Sequence, residues 1–129
     1  MQSTPNEQKR ILIVDDEPVI AHTASRLFSK EGYDTRPVYS AEEALELISM
    51  WVPHLAVIDV RLPGMNGVDL AIRLKAELPN CKLVLLTGFN DPSWLHRGGH
   101  SFKVLMKPIL PLELLKLASA LLSSLESNA

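Results

Sequence analysis

A chain of 129 residues, 47% of them apolar, can bury a core within one domain and is too apolar to be disordered. Thirteen basic side chains against fifteen acidic ones give a net charge of -2, which excludes a general positive field for nucleic acid or an anionic membrane. The lone Cys81 excludes an internal disulfide, no apolar run approaches the ~18 residues of a spanning helix, and the polar opening MQSTPNEQKR lacks the apolar segment of a signal peptide. A reduced, cytoplasmic setting is the default.

The first apolar run, ILIV at 11–14, is too short for a helix and too continuous for a half-exposed strand, so it is expected to be a buried parallel strand. A helix follows from about Glu17 to Lys30, with Val19, Ile20, Thr23, Ala24 and Leu27 along one face. Gly32 suits the helix end, and YDTRPVY at 33–39 is a second strand; Pro37 removes one ladder donor and sends it to a sheet edge. Ser40 with Glu43 three residues on is a capping-box spacing, opening a helix that carries Ala44, Leu45, Leu47 and Ile48. LAVI at 55–58 is the third strand. A third helix, from about Gly67 to Leu78, carries Val68, Ala71, Leu74 and Leu78 and stops at Pro79. KLVLL at 82–86 and FKVLM at 102–106 are the last strands, and LELLKLASALLSSLE after Pro111 is the last helix. Between those strands, GFNDPSWLHRGGHS at 88–101 can start a helix at Pro92, but Gly98 and Gly99 end it early. The result is a single α/β domain over residues 10–126, a doubly wound five-stranded parallel sheet with a short or irregular fourth helix. Residues 1–9 and 127–129 are expected to be loose ends.

In a parallel sheet all strands point their C-terminal ends to one rim, where ligands bind. The residues just past the apolar runs therefore meet: Asp15 and Asp16, Asp59, Thr87 and Lys107. Each alone has a plainer explanation, as helix cap, turn former, strand-end hydroxyl or solvated lysine. Together, on separate strands, they outrun those explanations. Close carboxylates repel by about 4 kcal/mol per pair at about 4 Å and an effective dielectric of about 20, so a cation is needed. An all-oxygen donor set without histidine or thiolate favours a hard ion, and Mg²⁺ fits best. A divalent ion and a lysine ammonium around one carboxylate also suit phosphoryl transfer to that carboxylate.

The segments ILIVDDEP, VIDVRLPGMNG, VLLTG and LMKP resemble, over nearly the whole chain, the receiver domains of two-component response regulators, the CheY-like superfamily. The resemblance implies a flavodoxin-like fold with strand order 2-1-3-4-5. It implies that Asp59 is the phosphoacceptor, charged by a phosphohistidine of a sensor histidine kinase or histidine phosphotransfer protein. Asp16 is then a direct Mg²⁺ ligand, Asp15 acts largely through water, and Arg61 lends its backbone carbonyl. Thr87 and Lys107 would bind phosphoryl oxygens, and the peptide bond from Lys107 to Pro108 would be cis. The exposed face of the first helix, near Pro18, would be the kinase-docking surface.

One position departs from the family pattern. Similar domains carry Tyr or Phe three residues before the lysine, where this chain has Val104. The usual switching aromatic is missing, so Phe89, Trp94 or Phe102 is expected to supply the moving or partner-facing surface, with core filling as the plainer alternative for Trp94 and Phe102. Arg61 and Phe89, each two residues past Asp59 and Thr87, flank the phosphoryl site and predict a phosphoryl lifetime of minutes or longer.

His96 and His100 are separated by Gly98 and Gly99 and do not form a metal site; His22 and His54 are surface or boundary residues, and Cys81 is a small boundary residue. The last helix carries more leucines than one stripe needs, which leaves a downstream protein or a homodimer as a partner. With no room for an output domain unless the chain is a fragment, the expected output is protein contact or phosphate relay, without direct nucleic-acid binding or membrane insertion. The alternatives are a phosphorylation-independent pseudo-receiver module, supported by Val104, and an aspartyl phosphatase. The latter wants a second acid two residues past its nucleophile, where this chain has Arg61.

Overall fold

The computed structural model describes residues 8–88 and 102–127. In chain order the elements are β1 (Arg10–Val14), α1 (Pro18–Lys30), β2 (Asp34–Val38), α2 (Ala41–Leu47), β3 (Leu55–Asp59), α3 (Gly67–Glu77), β4 (Lys82–Thr87), β5 (Lys103–Met106) and α4 (Pro111–Ser127). The five strands form one parallel sheet in the order β2-β1-β3-β4-β5, as expected. Pro37 does sit in an edge strand, opposite Ile13 of β1. The segment containing Phe89, Trp94, His96 and His100, and with it the fourth-helix expectation, lies outside the described residues.

Alternation along the strands gives the sheet two apolar faces. Leu12, Val14, Ala56, Ile58 and Leu85 pack under α2 and α3. Ile11, Ile13, Leu55, Val57 and Val84 pack under α1 and α4. β3 is buried along its whole length, so both faces hold its position. The far edge differs from the sequence expectation: β5 is half-exposed, because it has a neighbour on one side only among the described strands.

Two local details refine the sequence expectations. The apolar face assigned to α1 is not its core face: Ala21, Ser25 and Phe28 are buried, whereas Val19 is 78% and Ile20 43% exposed. The sheet selects small residues for close approach and one large anchor, Phe28, whose full burial is worth roughly 2–3 kcal/mol. In α2, Ser40 Oγ accepts the Glu43 N–H at 3.1 Å as a capping box requires, but Glu43 reaches back to the Tyr39 N–H at 2.8 Å, one residue before the cap. Gly32, past the end of α1, has φ of +96°, the left-handed conformation that a helix C-terminus asks of glycine.

Candidate functional site

The strand order reverses at β1, whose neighbours are β2 on one side and β3 on the other, and the crevice past the C-terminal ends of β1 and β3 is where such folds bind ligands. Asp15 leaves β1 there. Its N–H donates to Val38 O at 3.1 Å and its Oδ1 accepts the Glu17 N–H at 3.0 Å, which fixes the carboxylate at the start of α1. Asp16 is exposed beside it. Asp59 ends β3, with Oδ1 accepting the Arg61 N–H at 3.1 Å. These three residues each bring a carboxylate oxygen within 4.8 Å of the others.

The remaining strands complete the site. Thr87, at the end of β4, is 1% exposed. Its carbonyl accepts the Lys107 N–H at 2.8 Å, which locks the end of β5 beside it. The Lys107 ammonium lies 3.0 Å from Asp59 Oδ2 and 3.9 Å from Asp15 Oδ2. The Lys107–Pro108 bond is cis. Val104 is half-buried against the α2/α3 core, and Phe102, two residues earlier on the same side of the chain, packs on that core too.

The electrostatics follow from burial. Asp15 has its carboxyl pushed above the ordinary value of 3.8, first by desolvation and further by the negative charges of Asp59 and Asp16. The Glu17 N–H and the Lys107 ammonium pull the other way without cancelling it. One ammonium facing two buried carboxylates and an exposed one leaves net negative charge in the pocket. The donor set is all oxygen and clustered, which fits a small hard divalent cation and not a soft one.

The turn after Asp59 is closed on itself. Gly67, first residue of α3, donates its N–H to Val60 O at 2.8 Å, and a Cβ there would stand 2.2 Å from Asp59 O. Asn66 caps α3 by accepting the Asp69 N–H at 2.9 Å. The sequence marked this segment as a turn, but not that the backbone of α3 rests against the peptide carrying Asp59.

A model of the response regulator receiver domain family matches residues 11–119. The chain belongs to the response regulator receiver domain family. Among curated relatives, sporulation initiation phosphotransferase F of Bacillus subtilis (strain 168) is 31% identical over 83 residues, 64% of this chain and 67% of that protein. The DNA-binding response regulator MtrA of Mycolicibacterium smegmatis is 34% identical over 111 residues, 83% of this chain, and the receiver spans only 47% of that longer protein. Among solved structures, a CheY-like receiver domain protein from Methanospirillum hungatei JF-1 superposes with a TM-score of 0.87 at 30% identity, covering 95% of this chain and 99% of that one. A receiver domain of an HD domain-containing protein from Pseudomonas fluorescens Pf-5 gives 0.84 at 29% identity, covering 93% and 98%.

Beside the acidic pocket the receiver carries a second concavity, an apolar groove of about 850 Å³ between α1 and the segment joining β5 to α4. Val19, Ile20, Leu27, Ile109 and Leu114 line it, Arg26 and Lys30 flank it, and Lys107 forms part of its wall. Exposed Val19 and Ile20, which their spacing places on one face of the helix, belong to this groove. Among the described residues no helix is long and apolar enough to cross a membrane.

Proposed function

We propose that this receiver accepts a phosphoryl group on Asp59 from a phosphohistidine of a sensor histidine kinase or histidine phosphotransfer protein, in the cytoplasm and with Mg²⁺. The observation that carries the proposal is the Lys107 ammonium 3.0 Å from Asp59 Oδ2 within a cluster of three carboxylates. A carboxylate oxygen of Asp59 attacks phosphorus in line. The P–O bond forms as the P–N bond to the donor imidazole breaks, and the departing nitrogen keeps the electron pair. Lys107 holds one phosphoryl oxygen by charge, and the Thr87 hydroxyl holds another by hydrogen bonding. The buried β3 keeps the nucleophile in register, so little ordering remains for the transfer step.

Asp15, Asp16, Asp59 and the backbone carbonyl of Arg61 would hold the metal. When bound, it supplies positive charge that screens the approaching phosphoryl oxygens from the carboxylates. Phosphorylation adds about 1.5–2 negative charges to a pocket already negative, and the resulting rearrangement is the signal. Val104 in place of the family's aromatic directs that signal away from the usual output route. The domain acts as a signalling protein that returns slowly to its resting form by hydrolysis, and exposed Arg61 lengthens the lifetime by limiting water at phosphorus. The groove along α1, with Val19 and Ile20 exposed at its mouth, is the surface offered to the donor.

The test is Mg²⁺ plus beryllofluoride, a non-covalent mimic of the phosphoryl group, followed by amide NMR against an Asp59→Asn control. Shifts that require Asp59 and spread from Thr87 toward Val104 are expected. An intact fold with no Asp59-dependent shifts would refute the proposal and favour a phosphorylation-independent module.

A further inference from the structure

The turn that follows Asp59 is held from outside by a residue with no part in the chemistry. Glu42, in the first turn of α2, accepts the Met65 N–H with Oε2 at 3.3 Å. The same carboxylate lies over Gly64, where Oε2 is 3.0 Å from the position a Cβ would take, and Gly64 itself has φ of +71°. A left-handed residue and a side-chain acceptor thus define the outer half of the turn. Its inner half is defined by Asp59 Oδ1 with the Arg61 N–H and by Gly67 N–H with Val60 O. The segment 60–67 is therefore gripped at both ends. α2 is in turn fixed to the residue just past β2 through Glu43 and the Tyr39 N–H, and the end of β2 to Asp15 through Val38 O.

We infer that Glu42 is a positioning residue for the phosphoacceptor site, setting the turn from Arg61 to Met65 so that Asp59 and the Arg61 carbonyl hold their places. The inference rests on the phosphoacceptor proposal above and adds a residue to it. Glu42 acts through Met65 and touches neither the nucleophile nor a ligand. Free of this anchor, the turn samples other arrangements, and every ligand that needs the preorganised pocket binds less tightly because only a fraction of molecules presents it.

Two readouts separate a positioning role from a merely structural one. In wild type, Glu42→Ala and Glu42→Gln, with folding checked by circular dichroism, the affinity for beryllofluoride at saturating Mg²⁺ is titrated and the amide exchange rate of Met65 is followed by NMR. Glu42→Ala is expected to weaken beryllofluoride binding by about threefold to tenfold, the value of one hydrogen bond, and to accelerate Met65 exchange selectively. Glu42→Gln keeps an acceptor oxygen and is expected to stay within about twofold of wild type. An alanine variant that binds as wild type overturns the inference, as does a glutamine variant that falls equally far. Wild type that fails to bind beryllofluoride at all refutes the phosphoacceptor proposal and the positioning role with it, so the two failures are distinguishable.

Discussion

Gly67→Ala puts the packing behind the nucleophile to a test in which two physical effects have opposite signs. Alanine is the better helix former by about 1 kcal/mol, so propensity alone makes the variant more stable. The surroundings say otherwise: the new Cβ would lie 2.2 Å from Asp59 O and 2.8 Å from Val60 Cα, where ordinary contact begins at 3.4 Å. Both neighbours are backbone, so no side chain can swing aside, and α3 and β3 must part by roughly 1 Å. Overpacking of this kind costs about 1–3 kcal/mol, and loss of the Gly67 N–H bond to Val60 O adds about 1 kcal/mol. The net expectation is a destabilisation of about 1–3 kcal/mol, measured by urea denaturation followed by circular dichroism. The shifted peptide carries Asp59, and a displacement near 1 Å costs on the order of 100-fold in a reaction that depends on alignment. Phosphorylation from a small acyl phosphate, quantified by intact mass, reports that loss. A variant as stable and as rapidly phosphorylated as wild type would refute the close-packing argument.

Asp15→Asn should raise the thermal midpoint at pH 7: the folded-state pKa of Asp15 is raised, so its contribution to stability is present below 3.8 and lost as pH rises through the folded value. An unchanged or lower midpoint at pH 7 would contradict this, and the gain should vanish at acidic pH. His54 accepts the Arg10 N–H on Nδ1 at 2.9 Å, and its pKa is lowered from 6.5 by burial and by Arg10 and Lys9. Its neutral form therefore supports the fold above pH 6.5, with stability falling as acid protonates it; His54→Asn, which keeps an acceptor near Nδ1, should flatten the pH dependence of urea denaturation between about pH 7 and 5. Mg²⁺ at about 100 times its dissociation constant should add about 2.7 kcal/mol of stability, and Asp16→Ala should abolish that increment in a thermal scan. Equal Mg²⁺ stabilisation of both proteins would remove Asp16 from the metal site.

The sheet and its rim were legible because continuous apolar runs ending in Asp15, Asp59, Thr87 and Lys107 leave few parallel arrangements open. Pro37 even identified an edge strand, since a missing N–H is a local property with a topological meaning. What stayed open in α1 has an equally physical source: Val19, Ile20 and Leu27 satisfy helical spacing, yet periodicity cannot say whether an apolar face meets the sheet or a groove. Close approach to the sheet instead chose Ala21 and Ser25, whose small size carries no hydrophobic signal. Glu42 was invisible for a related reason. An acidic residue in the first turn of a helix already has a complete explanation in the helix dipole, and its bond to Met65, 23 residues away, exists only in three dimensions.

Lys107 belongs to two surfaces at once, its ammonium against Asp59 and the residue itself in the wall of the groove beside α1. A partner seated in that groove presses on the same side chain that a phosphoryl group on Asp59 would recruit. Occupancy of the groove and occupancy of Asp59 are then thermodynamically linked through one residue, and whatever the phosphoryl group does to a docked partner's grip, that partner does in equal measure to the phosphoryl group. A donor that binds the phosphorylated state more weakly must, by that reciprocity, weaken the hold on the phosphoryl group to the same degree while it stays bound.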